Sequence, residues 1–472
     1  MKIPLSGGAY QSRSIMASAQ RCVNLYSEKN PEDSPYPFTY YPTPGIDLLS
    51  TGPSNGWRGL YTTTTGALYG VAADRVYFID SAFAYTDLGA ISTTKGAVSM
   101  VDNGIDLVLV DGSDSGQKID LTTNLMIPIT NAAFYGASRV DLVDGFLIFN
   151  RPRTNQWYIS NFLNVDFDSL DFAAKTGFSD KVVAVGAAKR QVFVFGEQTT
   201  EVWYNTGEAD FTFGRMPGAF IQYGCASAAS IAQTDGSLYW LSKSKEGECM
   251  VLRTEGYDRA RISTFAIEKE FQSYAVIEDA TGYIYQQEGH TFYVLNFPSA
   301  DKTWAYDVST GEWAERMWLD DEGLEHRQRQ FCYAFYNGQA IVGDWENGNL
   351  YRMSSELFTD DGEEVRRIRA FPHLVDNGNR VRYDSVIADI ETGNGLPASL
   401  ARPELRLRWS DTRGRSWGTH ISNNLGSTGE FLHSCAFKRL GMARDRVFEL
   451  SWAADCKTAL NGMFVELQPC GS

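Results

Sequence analysis

Histidine, cysteine and serine patterns provide few groups for catalysis in this chain of 472 residues. No histidine lies three or four residues from another, which is the spacing that brings two metal ligands together on one helix face: His290, His326, His373, His420 and His433. The cysteines are far apart and include no Cys-x-x-Cys pair, which favours reduced thiols over a zinc centre or a disulfide framework: Cys22, Cys225, Cys249, Cys332, Cys435, Cys456 and Cys470. No Gly-x-Ser-x-Gly elbow, P-loop or dinucleotide fingerprint follows a predicted strand. We therefore expect no catalytic residue, no cofactor-binding residue, no metal site and no enzymatic activity.

One segment, Ser410 to Trp417 (SDTRGRSW), approaches the Asp-box of sialidases and other glycan-processing propellers, Ser-x-Asp-x-Gly-x-x-Trp. Asp411 is displaced by one position from that pattern. The Asp-box is a hairpin turn in which the hydroxyl and carboxylate bind turn amides while the tryptophan packs beneath them. We therefore interpret this segment as a structural turn.

Aromatic and basic residues raise two further possibilities, sugar stacking and nucleic-acid binding. Most of the eleven tryptophans lie in or beside predicted strand pairs, where packing in the core is their expected role. Arg366, Arg367 and Arg369 form a basic group, but no stacking aromatic residue separates them. Nucleic-acid grooves combine basic and stacking residues, so we predict a solvated strand here.

The strongest pattern is a repeat of a glycine-led aromatic strand, a tight polar turn and a second aromatic strand. Its phase markers recur every 38 to 56 residues: Gly66, Gly104, Gly145, Gln191, Gly236, Gly282 and Gly338. This period is the length of one four-stranded propeller blade. Because one meander cannot bury both of its faces, several must pack around an axis. The sequence therefore predicts an all-β protein with a six- or seven-bladed β-propeller.

The positions of proline, glycine and asparagine residues divide the chain into three predicted regions. Residues 1–50 contain Pro31, Pro35, Pro37, Pro42 and Pro44 with little periodicity, so we expect an extended N-terminal arm. Residues 51–375 are the predicted propeller. Residues 376–472 break the period and alternate short strands with glycine and asparagine turns, which predicts a C-terminal antiparallel β-sandwich.

Charge is distributed unevenly along the chain, whose formal net charge is −16. Residues 1–364 hold 27 basic and 47 acidic residues, whereas residues 365–472 hold 15 basic and 11 acidic residues. An acidic surface repels nucleic acid, because duplex binding requires concentrated Lys and Arg. The asymmetry indicates either assembly surfaces for different partners or simple solubility. The sequence has no apolar window long enough to span a membrane and no apolar signal-peptide core at its start.

Several segments resemble the packaged-DNA stabilisation proteins of short-tailed phages of the Salmonella-phage type. The opening residues 22–28 (CVNLYSE) and 41–46 (YPTPGI) are similar to the start of that family. Residues 182–186 (VVAVG) and 195–207 (FGEQTTEVWYNTG) resemble its best-marked blade, and residues 267–269 (IEK) match a short signature. The resemblance spans most of the chain, while the last 90 residues fit it only in strand pattern.

This resemblance implies a tail hub or nozzle in the virion, assembled in the host cytoplasm. The implied partners are further copies of the chain in a ring, taken to be a hexamer, the portal and its adaptor, a tail needle or plug, and tailspikes or tail fibres. DNA would pass through the ring without specific binding, and no cofactor is implied. The alternatives are a virion-associated glycan-binding or sialidase-like propeller and a cellular interaction scaffold. The propeller fits the scaffold alternative, but the N-terminal motif does not.

Overall fold

The computed structural model describes residues 1–5, 11–53, 56–208, 211–244, 246–391, 393 and 403–470. Five strands precede the first repeat: β1 (Lys2–Ile3), β2 (Arg21–Val23), β3 (Leu25–Lys29), β4 (Phe38–Pro42) and β5 (Gly45–Ser50).

Six consecutive antiparallel meanders of four strands then follow one another along the chain. Blade 1 consists of β6 (Trp57–Thr62), β7 (Leu68–Ala72), β8 (Arg75–Ile79) and β9 (Tyr85–Ala90). Blade 2 consists of β10 (Ser99–Asp102), β11 (Asp106–Val110), β12 (Gly116–Asp120) and β13 (Met126–Pro128). Blade 3 consists of β14 (Val140–Val143), β15 (Phe146–Asn150), β16 (Gln156–Ile159) and β17 (Phe172–Ala174).

The second half of the series has the same order. Blade 4 consists of β18 (Val182–Ala188), β19 (Gln191–Gly196), β20 (Thr200–Asn205) and β21 (Phe213–Ile221). Blade 5 consists of β22 (Ala232–Thr234), β23 (Ser237–Lys243), β24 (Cys249–Glu255) and β25 (Asp258–Arg261), followed by helix α1 (Phe265–Gln272). Blade 6 consists of β26 (Thr281–Gln287), β27 (His290–Phe297), β28 (Lys302–Asp307) and β29 (Trp313–Leu319), with β30 (Glu325–Arg327) paired to β29.

A further meander closes the ring with a strand from the N-terminal region. Blade 7 consists of β31 (Gln330–Tyr336), β32 (Gln339–Asp344) and β33 (Leu350–Ser354), and β5 pairs with β33 as the fourth strand. The first strand of this blade packs against β6 of blade 1. Within the described part of the chain, seven four-stranded meanders thus surround the axis, which confirms the prediction of an all-β propeller.

The sequence forms blades because apolar side chains cover both faces of the middle strands while glycines form the turns. Every residue of β7 and of β11 is buried, since neighbouring blades cover both faces of each sheet. Gly66 and Gly145 adopt positive φ in the turns after β6 and β14, a conformation that glycine reaches without steric cost. Each repeat in the sequence therefore corresponds to one blade, which contributes one buried strand and one glycine turn.

The chain continues from blade 7 into a second body of two packed sheets. A short hairpin comes first, β34 (Thr359–Asp360) and β35 (Glu363–Glu364). Nine strands follow: β36 (Arg367–Ala370), β37 (Leu374–Val375), β38 (Val381–Ile390), β39 (Glu404–Ser410), β40 (Ile421–Asn424), β41 (Cys435–Lys438), β42 (Met442–Ala443), β43 (Asp445–Trp452) and β44 (Leu460–Pro469). One sheet extends blade 6 in the order β29, β2, β36, β43, β39, β40, and the other has the order β3, β4, β44, β38, β41. Tyr383, Phe448 and Trp452 are buried between these sheets, and we call this body the sandwich.

The N-terminal region differs from the extended arm expected over residues 1–50. Strand β2 lies between β29 and β36, β3 and β4 join the second sandwich sheet, and β5 belongs to blade 7. The prolines do not keep the chain unpaired, because Pro42 occupies the end of a strand, where the missing amide is tolerated. Residues 1–50 supply strands to both the propeller and the sandwich. The boundary predicted near residue 375 stays a proposal, and β36 and β37, which precede it, already pair with β43 of the sandwich.

Candidate functional site

The axis of the propeller opens into a funnel with a volume of about 1350 Å³. The wall is made by the links between blades and by the turns between second and third strands, and we call this side the upper face. Trp57, Lys95, Asp279, Arg327 and Trp345 are among its lining residues. This volume is somewhat larger than that of most small-ligand pockets.

Two arginines of the funnel have different surroundings. The Arg58 guanidinium donates five hydrogen bonds, four of them to backbone carbonyl oxygens such as Gly96 O at 2.7 Å and Ala73 O at 2.6 Å. Arg327 instead lies over the Trp345 ring, with its guanidinium carbon 4.0 Å from the ring centroid. Burial lowers the pKa of Arg327 to about 10, while nearby carboxylates such as Asp279 oppose that shift. Arg58 therefore holds the wall together, and Arg327 supplies a stacked cation at the mouth.

The histidines that the sequence singled out do not gather at one place. His290 Nδ1 lies 2.8 Å from Asp307 Oδ2, and His373 Nδ1 lies 2.7 Å from Asp445 Oδ1. His326 contacts two carboxylates of neighbouring loops, which raise the pKa of its imidazole by hydrogen bonding. Each of these side chains therefore belongs to local packing. Among the described residues, no three His, Cys, Asp or Glu side chains form a group that could hold a metal ion.

The segment that resembles an Asp-box forms a turn, but its acid has another partner. Ser410 Oγ accepts a hydrogen bond from the Gly414 amide at 2.8 Å, as expected for the hydroxyl of such a turn. Asp411 forms a bidentate ion pair with Arg446, with nitrogen to oxygen distances of 2.6 and 2.8 Å. The displaced carboxylate therefore anchors the turn to β43 instead of binding the turn amides.

The prediction of a solvated strand at Arg366–Arg369 is wrong for two of its three arginines. Arg367 and Arg369 are fully buried. Arg367 donates to Ala454 O at 3.0 Å, and Arg369 donates to Leu5 O and to Gln20 Oε1 at 2.8 Å each. They lie between the sandwich sheets because the N-terminal strands and the strands after residue 365 enclose β36 on both sides.

Asn24 joins the N-terminal strands to blade 6. Its backbone has φ of 53°, which asparagine tolerates better than most residues. Its side-chain amide donates to Met317 O at 2.8 Å and to Arg366 O at 2.9 Å, and its oxygen accepts from the Met317 amide at 3.1 Å. Only 3% of this residue is exposed. One side chain therefore ties together β2, β29 and the segment that enters β36.

Arg21 strengthens the same joint with charge. Its guanidinium contacts Glu315 at 2.9 Å, and it binds Glu325 with distances of 3.0 and 2.6 Å. Burial alone would raise the pKa of Glu315, but Arg21 and Lys302 hold that pKa below its usual range. The joint is thus a network of paired charges around a nearly buried carboxylate.

A second buried network links blades 3 and 4. Lys175 and Asp180 precede blade 4, and the Lys175 ammonium contacts both the Asp180 carboxylate and the Thr199 hydroxyl. Asp180 Oδ2 also accepts from the Gln198 amide at 2.6 Å and from the Thr199 amide at 3.0 Å. The turn between β19 and β20 is therefore fixed by a charge pair that is almost completely removed from solvent.

Comparison with known proteins assigns these features to a family. A family model described as Bacteriophage P22 Gp10, beta-propeller, matches residues 1–357. The chain belongs to this phage stabilisation family. The resemblance inferred from the sequence is thereby confirmed, and it covers the N-terminal strands and all seven blades but not the strands from β34 onward.

The family motifs in this chain are structural. The segment 22–28 contains the Asn24 joint, and the segment 195–207 contains the turn held by Lys175 and Asp180. The short signature at 267–269 lies in α1, where Glu268 binds Arg261 and accepts from Ser263 Oγ at 2.6 Å. In this phage stabilisation protein, the segments that resemble the family therefore hold the blades together and join the propeller to the sandwich. Sequence reasoning found the segments but not the contacts, which lie up to 342 positions apart.

Two solved structures show a general likeness to this family member. The computationally designed Ika8 protein is 11% identical, with 65% of this chain and 99% of that chain covered and a TM-score of 0.37. The N-terminal domain of Nup159 is 9% identical, with 70% and 98% covered and a TM-score of 0.41. Neither score supports a conclusion about function. No curated protein matches the chain, and no helix among the described residues is long and apolar enough to cross a membrane.

Proposed function

We propose that this chain forms the hub or nozzle ring of a short phage tail, below the portal and its adaptor. The ring, a hexamer in this proposal, extends the DNA channel, retains packaged DNA and attaches the tail needle and the tailspikes or fibres. It acts in the virion after assembly in the host cytoplasm. The observation that carries the proposal is the match of residues 1–357 to a phage stabilisation family.

The proposed ring contains several copies of the chain. In this proposal the DNA passes through a channel enclosed between subunits, and the funnel of one propeller, with its volume of about 1350 Å³, is not that channel. Closed cyclic symmetry provides such a channel. The net charge of −16 on each copy would give the channel a wall that does not grip passing DNA.

A glycan-binding or sialidase-like propeller is the second candidate. The observation in its favour is the funnel, where Arg327, Asp279 and Trp345 line one mouth. Sugar sites combine charged hydrogen-bonding groups with apolar surface in this way. A virion-borne lectin would bind bacterial polysaccharide without any need for a ring.

The test of the proposed function is the loss of the whole chain from phage particles. Deleting only residues 1–40 would not test the function, because that deletion removes β1 to β3 and most of β4 from the sandwich sheets and would disturb folding. Particles made without the chain are expected to package DNA, lose it, and lack needle and tailspikes in negative-stain images. Particles that retained DNA and carried a normal tail would refute the proposal. A lectin would instead leave DNA retention intact and abolish binding to host polysaccharide.

A further inference from the structure

Basic side chains from neighbouring strands lie on one face of the sandwich sheet that continues blade 6. Arg406 and Arg408 are two positions apart in β39, and side chains two positions apart on a strand point to the same face. Leu407, between them, is buried in the core, so the two arginines face away from the second sandwich sheet. Leu407 pairs with Ile421 of β40, which places the preceding His420 beside Arg408. Two arginines and a histidine therefore share the outer face of two paired strands.

A third arginine reaches this face from β36. Ser451 of β43 pairs with Arg406 on one side and with Ile368 of β36 on the other. Arg366 is two positions before Ile368, and the alternation of side chains places it on the same face. Arg366 and Arg406 both line a cleft of about 530 Å³ between the sandwich and the hairpin of β34 and β35. We call these four residues the basic face: Arg366, Arg406, Arg408 and His420.

The charges of the basic face act on one another. Burial lowers the pKa of the His420 imidazole, and the positive charges of Arg408, Arg406 and Arg366 lower it further. All three guanidinium groups are therefore close enough to oppose a proton on the same ring. The guanidinium carbon of Arg408 lies 4.9 Å from the ring centroid of Trp417, which holds this cation in place. The basic face is thus a positive region in a chain whose formal net charge is −16.

Carboxylates neutralise only part of this charge. Glu449 Oε1 accepts from Arg408 Nε at 2.5 Å, and Glu404 Oε2 accepts from Arg406 Nε at 3.4 Å. Within the described part of the chain, Arg366 has no ion-pair partner, and the terminal amino groups of the other two arginines donate to no residue. An anion with several acceptor oxygens would satisfy these groups.

We propose that the basic face binds a phosphate group, which accepts hydrogen bonds from the terminal amino groups of Arg366 and Arg406 and lies beside His420. A tetrahedral oxyanion accepts several charge-assisted hydrogen bonds at once, and the planar guanidinium fork matches its geometry. Glu364 and Asp455 also line the cleft, but the charges that act on the His420 imidazole are all positive, so we place the phosphate at the His420 end. This site goes beyond the proposed function, because a single copy of the chain forms it.

A nuclear magnetic resonance titration of the full chain tests this site. With isotope-labelled histidine the five imidazoles give five signals, and His420→Gln identifies the His420 signal by its loss. Sodium phosphate, added at constant pH in about 20 mM NaCl, where exposed charges are weakly screened, should shift the His420 signal until the site saturates. The signals of the other four histidines should not follow this curve, and sodium chloride at the same ionic strength should not reproduce it.

Two pairs of substitutions separate the site from general effects of charge. Arg366→Gln with Arg406→Gln removes two donors of the basic face and should raise the dissociation constant for phosphate by at least about tenfold. Arg382→Gln with Arg444→Gln is the matched control, because both side chains are exposed on the sandwich outside the basic face and the same charge is removed. The control should bind phosphate like the unmodified chain. If a variant fails to fold by circular dichroism, the titration of the unmodified chain decides.

A single-stranded oligothymidylate shows whether the phosphate belongs to a free ion or to a nucleic-acid backbone. A dissociation constant per phosphate that is at least about tenfold below that of free phosphate indicates the backbone. Similar values indicate a free ion, and both results support the site. The inference is overturned if neither ligand shifts the His420 signal to saturation, or if Arg366→Gln with Arg406→Gln binds phosphate as tightly as the control. Neither outcome bears on the proposed tail function, which particles lacking the chain test.

Discussion

Replacement of Asn24 is expected to weaken the joint between the propeller and the sandwich more than replacement of an exposed residue does. In Asn24→Gly, three hydrogen bonds of 2.8, 2.9 and 3.1 Å disappear, while the positive φ of 53° remains accessible. Each lost bond costs about 1 kcal/mol, and the freed groups of Met317 and Arg366 are shielded from water. We therefore expect a loss of about 3 kcal/mol in the free energy of unfolding.

Asn24→Ala adds a backbone penalty, because alanine reaches the left-handed region at a cost of about 1 kcal/mol. The matched control is Asn337→Ala, since Asn337 has φ of 50°, is exposed, and makes no side-chain hydrogen bond to the described residues. The control measures the backbone penalty alone. The difference between the two alanine variants, about 3 kcal/mol, then measures the side-chain bonds of Asn24.

The assay is urea unfolding followed by tryptophan fluorescence, because Trp452 in the sandwich and Trp313 in blade 6 are both buried near the joint. The unfolding transition should move to lower urea in both Asn24 variants, and in Asn337→Ala it should move only by the backbone penalty of about 1 kcal/mol. If Asn24→Gly and Asn337→Ala shifted the transition equally, the side-chain bonds would contribute little, and the joint would depend on apolar packing instead.

Three further predictions use other residues. Burial raises the pKa of the Asp360 carboxyl to about 7, so the folded state binds this proton more tightly than the unfolded state. The protonated carboxyl therefore stabilises the fold at low pH, and this stability is lost as the pH rises towards 7. Urea unfolding at pH 5 and at pH 8 should show that the free energy of unfolding falls less between the two pH values in Asp360→Asn than in the unmodified chain. Thr199→Val removes a hydroxyl that contacts both the buried Lys175 ammonium and the buried Asp180 carboxylate, and it should lower the free energy of unfolding by about 1 to 3 kcal/mol. Thr123→Val is the control, because it removes an exposed hydroxyl that donates to the Asp120 carboxylate. It should change the free energy of unfolding by less than about 0.5 kcal/mol. Incubation with sialosides and bacterial polysaccharides should release no product above background; turnover that Asp279→Asn abolished would refute the absence of catalysis.

The repeat was readable from the sequence because it is local. Each blade carries its own glycine turns and its own buried middle strand, so the spacing of Gly66, Gly104 and Gly145 reports one unit of structure at a time. The Asp-box-like turn was recognisable for the same reason, since Ser410 and Gly414 bond within five residues. Features that close within one hairpin are encoded in neighbouring residues.

The N-terminal region was misjudged because its partners are distant in sequence. Val23 pairs with Ile368, and Gly45 pairs with Ser354, so nothing adjacent to these residues indicates that they form strands. Arg367 and Arg369 were expected in a solvated strand because no stacking aromatic residue separates these arginines, as one would in a nucleic-acid groove. Their partners are Leu5 O, Gln20 and Ala454 O, and only the packing of the two sandwich sheets brings those groups together.

The sequence by itself determined the all-β class, the blade period, the charge asymmetry and the family. These properties depend on composition and on residues close together along the chain. Only the tertiary structure decided how the propeller closes, where the N-terminal strands pair and which basic side chains lie on the same face of the sandwich. Closure and pairing depend on contacts between residues more than 300 positions apart, and the pattern of side chains along each strand is compatible with many such pairings. The fold selects one of them because it buries both faces of second strands such as β7 and β11 and pairs the charges at the joint.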